Sequence, residues 1–138
     1  STEQLFDPHV WSTAADINEA GTVCGHFVDG GPQAYAMKLD GSLLQLPLLK
    51  VNTRKQESVN VRADAINDSG QVVGIAEVIK GVTILKRPAV LWNVGESAVE
   101  LPLSTWSGGV YALDDAGWAV GSERISEISV PILLRPTR

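Results

Sequence analysis

One short segment recurs three times in this chain, and that recurrence limits the fold more than any other feature. It reads Ala15-Asp16-Ile17-Asn18-Glu19-Ala20-Gly21-Thr22-Val23-Cys24-Gly25 in the first copy. The second is Asp64-Ala65-Ile66-Asn67-Asp68-Ser69-Gly70-Gln71-Val72-Val73-Gly74, and the third Tyr111-Ala112-Leu113-Asp114-Asp115-Ala116-Gly117-Trp118-Ala119-Val120-Gly121. Ile17 and Ile66 lie 49 residues apart, and Ile66 and Leu113 lie 47 apart. Spacings of this size mark repeat architectures, in which each unit is one supersecondary element. The match continues downstream. Ala34-Tyr35-Ala36-Met37 aligns with Ala89-Val90-Leu91-Trp92 and with Ile132-Leu133-Leu134-Arg135, and Leu46-Pro47-Leu48 aligns with Leu101-Pro102-Leu103.

Each unit reads as four short strands. The first ends at Ile17, Ile66 or Leu113, and a hairpin turn follows. Asn or Asp opens that turn because its side chain can bond the backbone two residues on; Gly closes it because the last position favours positive φ. The second strand carries Val23, Val72 or Ala119 and ends at the second glycine. The third is the apolar run around Tyr35, Leu91 or Leu133, followed by a glycine turn at Asp40-Gly41 and at Val94-Gly95. The fourth holds Leu-Pro-Leu, where Pro implies an edge or a strand end. No segment sustains a helical period. The expected fold class is therefore all-β: three tandem four-stranded antiparallel units at about 10–58, 59–106 and 107–138, within one domain. The third unit stops short of a fourth strand. Leu5 stands 12 residues before Ile17, as Leu101 stands 12 before Leu113, so residues 1–9 are expected to supply the closing strand.

With 44% hydrophobic and 20% charged residues, the 138-residue chain can bury a core. Its net charge of −5 repels phosphate, which argues against nucleic acid and against anionic lipid. No apolar run reaches the roughly 20 residues of a membrane helix. The single Cys24 excludes an internal disulfide framework.

The segments Ala65 to Gly74 and Ala89 to Trp92 resemble the HAF repeat of extracellular bacterial proteins, whose units are laid out like β-propeller blades. The histidine of that motif is replaced by Gln33, Pro88 and Pro131, and its tryptophan survives only at Trp92, with Met37 and Arg135 at the other two places. The resemblance implies an extracellular or periplasmic repeat protein, propeller-like, with no particular chemistry. Three blades are too few for a propeller, which has about four to eight. Three closures follow: a six-bladed ring of two chains clasped through the N-terminal strand, a β-trefoil or β-prism formed by one chain, or a piece of a longer propeller. The blade-like turns and glycines favour the homodimer.

Chemistry-bearing motifs are few. Asn67-Asp68-Ser69-Gly70 and Asp114-Asp115-Ala116-Gly117 are too short for calcium loops. His9, Cys24 and His26 lack zinc-ligand spacing. Ser69 sits in a turn without a nucleophile elbow. No catalytic residue, metal or cofactor is expected on these grounds. Positions that break the repeat carry more information. Arg62 and Asp64 stand where the other copies have Thr13 and Ala15, or Gly109 and Tyr111, and in a propeller these line the channel. Trp11 and Trp106 precede the first strands of two units, and Trp118 follows a turn glycine; exposed aromatic side chains stack on sugars or anchor proteins. The polar insertion from Lys50 to Glu57 is a further candidate for recognition. The expected function is a non-enzymatic binding module for a protein or glycan, with Trp11, Arg62, Asp64, Trp106, Tyr111 and Trp118 as ligand-binding candidates. The alternative is a small hydrolase or lyase with a pocket around Arg62, Asp64 and Tyr111.

Overall fold

A computed structural model describes residues 2–51, 56–93, 96–101 and 108–136. The chain is all-β. The first sheet is formed by β1 (Ser12–Ile17), β2 (Val23–Val28), β3 (Pro32–Met37) and β4 (Leu43–Gln45), paired in that order. The second contains β5 (Gln56–Ile66), β6 (Val72–Lys80), β7 (Thr83–Lys86), β8 (Ala89–Trp92) and β9 (Ala98–Glu100). Its order is β5-β6-β8-β9, with β7 also paired to β6. The third holds β10 (Gly108–Leu113), β11 (Ala119–Ile125) and β12 (Ile128–Leu134). The three sheets thus carry four, five and three strands, all pairs given being antiparallel.

The hairpin turns behave as their residues dictate, with one difference. Gly21, Gly70 and Gly117 close them at φ of 84°, 83° and 92°, a region that costs glycine nothing. The opening side chain reaches four residues on in each turn, and two residues on in the third alone. Thr22 N–H donates to Asn18 Oδ1 at 2.9 Å, Gln71 N–H to Asn67 Oδ1 at 2.8 Å, and Trp118 N–H to Asp114 Oδ1 at 2.8 Å. In the third turn Ala116 N–H shares that oxygen.

The second glycine of each segment faces a bulge in the strand before it. The register slips between Ala14 and Asp16, Ala63 and Ala65, and Val110 and Ala112. A Cβ on Gly25, Gly74 or Gly121 would run into the backbone carbonyl of Thr13, Arg62 or Gly109 respectively. The glycines are there for close approach of two chains, while the bulge adds local twist.

Two apolar layers lie between the sheets. Cys24, Ala34 and Ala36 of the first sheet meet Ile66, Val72, Val90 and Trp92 of the second. Ala65, Val73, Ala89 and Leu91, from the other face of the second sheet, meet Val110 and Ala119 of the third. The stack is linear: no strand of the first sheet makes extensive contact with the third among the described residues. Among the described residues an open stack stands in place of the intrachain trefoil or prism closure, with no closed barrel or propeller.

Three further expectations change. The second sheet gains β7, an exposed extension beyond the recurring segments. The third sheet pairs Val120 with Leu133 and Ala119 with Leu134, as the second pairs Val73 with Leu91 and Val72 with Trp92. Leu134, not Arg135, thus stands in the place of Trp92, and the downstream alignment moves by one residue. Residues 2–9 form no strand within the chain; Phe6 instead packs 4.9 Å from Tyr35 and 5.4 Å from Phe27, ring to ring.

Cys24 is fully buried in the first layer, and burial, reinforced by the carboxylates of Asp16 and Asp64, pushes its thiol up from 9.0 to about 12. Below 9.0 the thiol is neutral whether the chain is folded or not. Above that value the unfolded chain loses a proton that the folded chain keeps, so the thiol's contribution declines as pH rises toward 12. Cys24→Val, which places the residue found at Val73, is expected to flatten the alkaline loss of stability. Urea midpoints of both proteins from about pH 8 to about pH 11 measure this; parallel curves would remove Cys24 from the cause.

Candidate functional site

Beyond the second apolar layer the long strands β5, β6 and β11 run on past the recurring segments, and polar side chains replace apolar ones. The space between the second and third sheets there is a cleft of about 560 Å3. Its walls include Arg62, Ile75, Glu77 and Arg87 on one side and Tyr111, Ser122, Glu123, Arg124, Glu127 and Ser129 on the other. The size falls in the range of small-ligand sites.

Ion pairs fix the second-sheet wall. Arg62 and Asp64 stand two residues apart on β5, Asp64 at the bulge, and Arg62 Nε donates to Asp64 Oδ1 at 2.7 Å. Burial raises the Asp64 carboxyl, and Arg62 pulls it back by charge and hydrogen bond. Asp64 Oδ2 is buried without a hydrogen-bond partner. Arg87 Nε donates to Glu77 Oε2 at 2.7 Å. These exposed guanidinium groups gain little stability from their pairs but are held in place by them.

The third-sheet wall is built differently. The Tyr111 ring lies over Gly109, where a Cβ would press on it at 2.9 Å, and its hydroxyl lies 3.1 Å from Ser122 Oγ. Tyr111 remains more than half exposed. Glu123 is buried, whereas Arg124 and Glu127 are exposed. The β11–β12 hairpin turns through Ser126 and Glu127 at φ of 48° and 68°. Both values belong to a tight two-residue turn that normally takes Asn-Gly, so an ordinary side chain is held under strain where it lines the cleft.

Of the residues singled out by sequence, Arg62 and Tyr111 both line this cleft, and Asp64 adjoins it only through its bond to Arg62. Trp11 is exposed on the first sheet, 5.4 Å from the ring of His26. Thr13 Oγ1 lies 3.0 Å from His26 Nδ1, across the β1–β2 pair. Burial lowers the His26 pKa, with Arg62 adding to the effect and Asp64 opposing it. Trp118 lies elsewhere, in a hollow on the far face of the third sheet. Trp106 lies outside the described residues, as do residues 52–55 of the polar insertion. Sequence reasoning missed Glu77, Arg87, Glu123, Arg124 and Glu127.

Chemically, the cleft offers planar guanidinium donors, carboxylate acceptors and two hydroxyls around one exposed ring. Arg62, Arg87 and Arg124 are balanced by Glu77, Glu123 and Glu127. Comparison with family models, with curated proteins and with solved structures returned no match to this chain.

Proposed function

We propose that the chain is a non-enzymatic binding module of blade-like sheets, recognising a glycan in the cleft between its second and third sheets. The observation that carries this reading is the balance of fixed charge around an exposed Tyr111. A site for phosphate or another strong anion needs an excess of cations; this one pairs its cations with carboxylates. Such a lining suits a neutral ligand rich in hydroxyl groups, which both donate and accept, while the tyrosine ring offers a face for stacking. The resemblance of the turn segments to extracellular HAF repeats supports a setting outside the cytoplasm, where glycans are met, and supports reading each sheet as a propeller-type blade.

A rival reading as a hydrolase or lyase working through Arg62, Asp64 and Tyr111 has one observation in its favour, the raised Asp64 carboxyl with a partnerless oxygen. Its other oxygen is held by Arg62, which restrains the shift.

The test is a glycan array followed by calorimetric titration of any hit. Tyr111→Ala is expected to weaken binding by about tenfold to a hundredfold, the loss of a stacked ring, at an unchanged thermal midpoint. An array without hits, or hits indifferent to Tyr111→Ala and Arg124→Ala, overturns the glycan reading. Turnover of a bound glycan that is lost in Asp64→Asn establishes the rival.

A further inference from the structure

The stack has two unlike ends, and each carries the face that its internal junctions bury. On the second sheet, Val73 and Leu91 are buried under the third sheet. Their counterparts by register on the third sheet, Val120 and Leu133, are 47% and 62% exposed beside Trp118. In the other direction, Ile66 is buried under the first sheet, while Ile17, its counterpart, is 60% exposed.

The turns match in the same sense. Between the first and second turns, Asn18 Nδ2 donates to Asn67 O at 3.1 Å and Glu19 N–H to Asp68 Oδ1 at 2.7 Å. Between the second and third, Asn67 Nδ2 donates to Asp114 O at 3.0 Å and Asp68 N–H to Asp115 Oδ1 at 2.8 Å. This ladder runs one way, from donor turn to acceptor turn. It ends in a donor, the N–H of Asp115, and begins at an acceptor, the carboxylate of Glu19.

The sheet edges tell the same story. Leu46 N–H donates to Ala34 O at 3.0 Å and Leu101 N–H to Ala89 O at 2.8 Å, which closes the outer edges of the first two sheets. Ala34, Ala89 and Pro131 pair with His26, Ile75 and Ser122, each one residue past the close-approach glycine. On the third sheet the edge at Pro131 is uncovered among the described residues. An open edge beside an exposed apolar face is a template for another chain.

We propose that a second copy of this chain covers both. The first sheet of the copy seats on the third sheet as the second sheet seats on the first, Asp115 N–H donates to its Glu19 carboxylate, and its Leu5 N–H bonds the Pro131 carbonyl. The contact is made twice, reciprocally, and two copies close a ring of six sheets. The occupant is a second copy because it brings the complementary end of the same junction: the apolar face, the acceptor turn and the strand in one body. A heterologous contact of this kind either closes or grows into a filament. The inference is independent of the glycan reading, since it concerns mass and not ligand.

Light scattering on a sizing column tests it. Twice the chain mass is expected for the wild type. Leu133→Asp and Ile17→Asp place a charge at exposed positions of the single chain, so each should fold with an unchanged circular dichroism spectrum. Each should raise the dimer's dissociation constant by about a hundredfold or more, through burial of an unpaired charge. A wild-type monomer at about 100 µM overturns the proposal, since a ring with two such junctions holds together well below that concentration. So does a polydisperse series of larger masses. A dimer broken by Leu133→Asp but untouched by Ile17→Asp means that two third sheets pair with each other, and equally overturns it.

Discussion

Gly74→Ala is expected to lower the thermal midpoint by about 10 °C or more, or to leave no folded protein. A methyl group there would run into the Arg62 carbonyl oxygen and stand 2.9 Å from Ala63 Cα. These are backbone atoms of a paired strand, so no rotamer change relieves the contact. Overpacking against side chains costs about 1–3 kcal/mol, and backbone offers less room to yield. Gly74 also sits in the middle of the stack, opposite the bulge between Ala63 and Ala65, so its displacement disturbs both apolar layers. Gly41→Ala is the control. Gly41 has a φ of 86° and open space around it, so the substitution should cost only the left-handed backbone penalty of about 1–2 kcal/mol. Calorimetric scans of the two variants separate the causes. Equal losses would mean that close approach is not what requires glycine at Gly74.

That glycine shows how far the sequence could be read. Its recurrence at Gly25, Gly74 and Gly121 was plain, but the strand expected to end there runs on, to Val28, Lys80 and Ile125. Its cause was not plain, because a bulge depends on the register between two strands and leaves no mark on either alone. Turns were legible because their chemistry is local: an Asn or Asp and a Gly within a few residues suffice. The third sheet was misread by one residue because Pro131 occupies the place of Ala89 and breaks the apolar run on which the match was made. A shift of one residue exchanges the two faces of a strand, so Leu133 was placed on the wrong side. β7 was missed because Thr83–Lys86 is exposed and has no counterpart in the other units.

Only part of the candidate site was legible, for a related reason. Asp64 and Tyr111 open recurring segments and Arg62 stands two residues before one, where a departure from pattern is visible. Glu77, Arg87, Glu123 and Arg124 lie beyond them, where no second copy exists for comparison, and they meet only because two sheets lie side by side. One local signal was available. Ser126-Glu127 joins two apolar-containing runs at a distance that allows only a tight hairpin, and that hairpin is the strained one beside the cleft.

Trp92→Ala should cost about 3–5 kcal/mol, the usual loss for deleting a buried aromatic side chain. Trp92 is 1% exposed and is the largest fully buried side chain. It packs in the layer between the first and second sheets, and its Nε1–H donates to the Pro47 carbonyl at 2.8 Å. Asn60 Nδ2 donates to Leu46 O at 2.9 Å, and the Ser58 hydroxyl to Leu49 O, so three side chains of the second sheet hold the segment that leaves the first. That segment lacks a strand ladder of its own, and these bonds take the place of one. Trp92→Phe keeps most of the apolar surface but leaves the Pro47 carbonyl only the long 3.4 Å bond from Asn60 Nδ2, a cost of about 1–3 kcal/mol. Urea midpoints rank the two variants. Equal costs would make the hydrogen bond, and not the volume, the main contribution. Small costs for both would mean that the first layer is not the cohesive one. Because the cleft lies at the second junction, whatever Trp92→Phe protein remains folded should bind its ligand as the wild type does; a binding loss matching that of Tyr111→Ala would show that the first junction sets the geometry of the second.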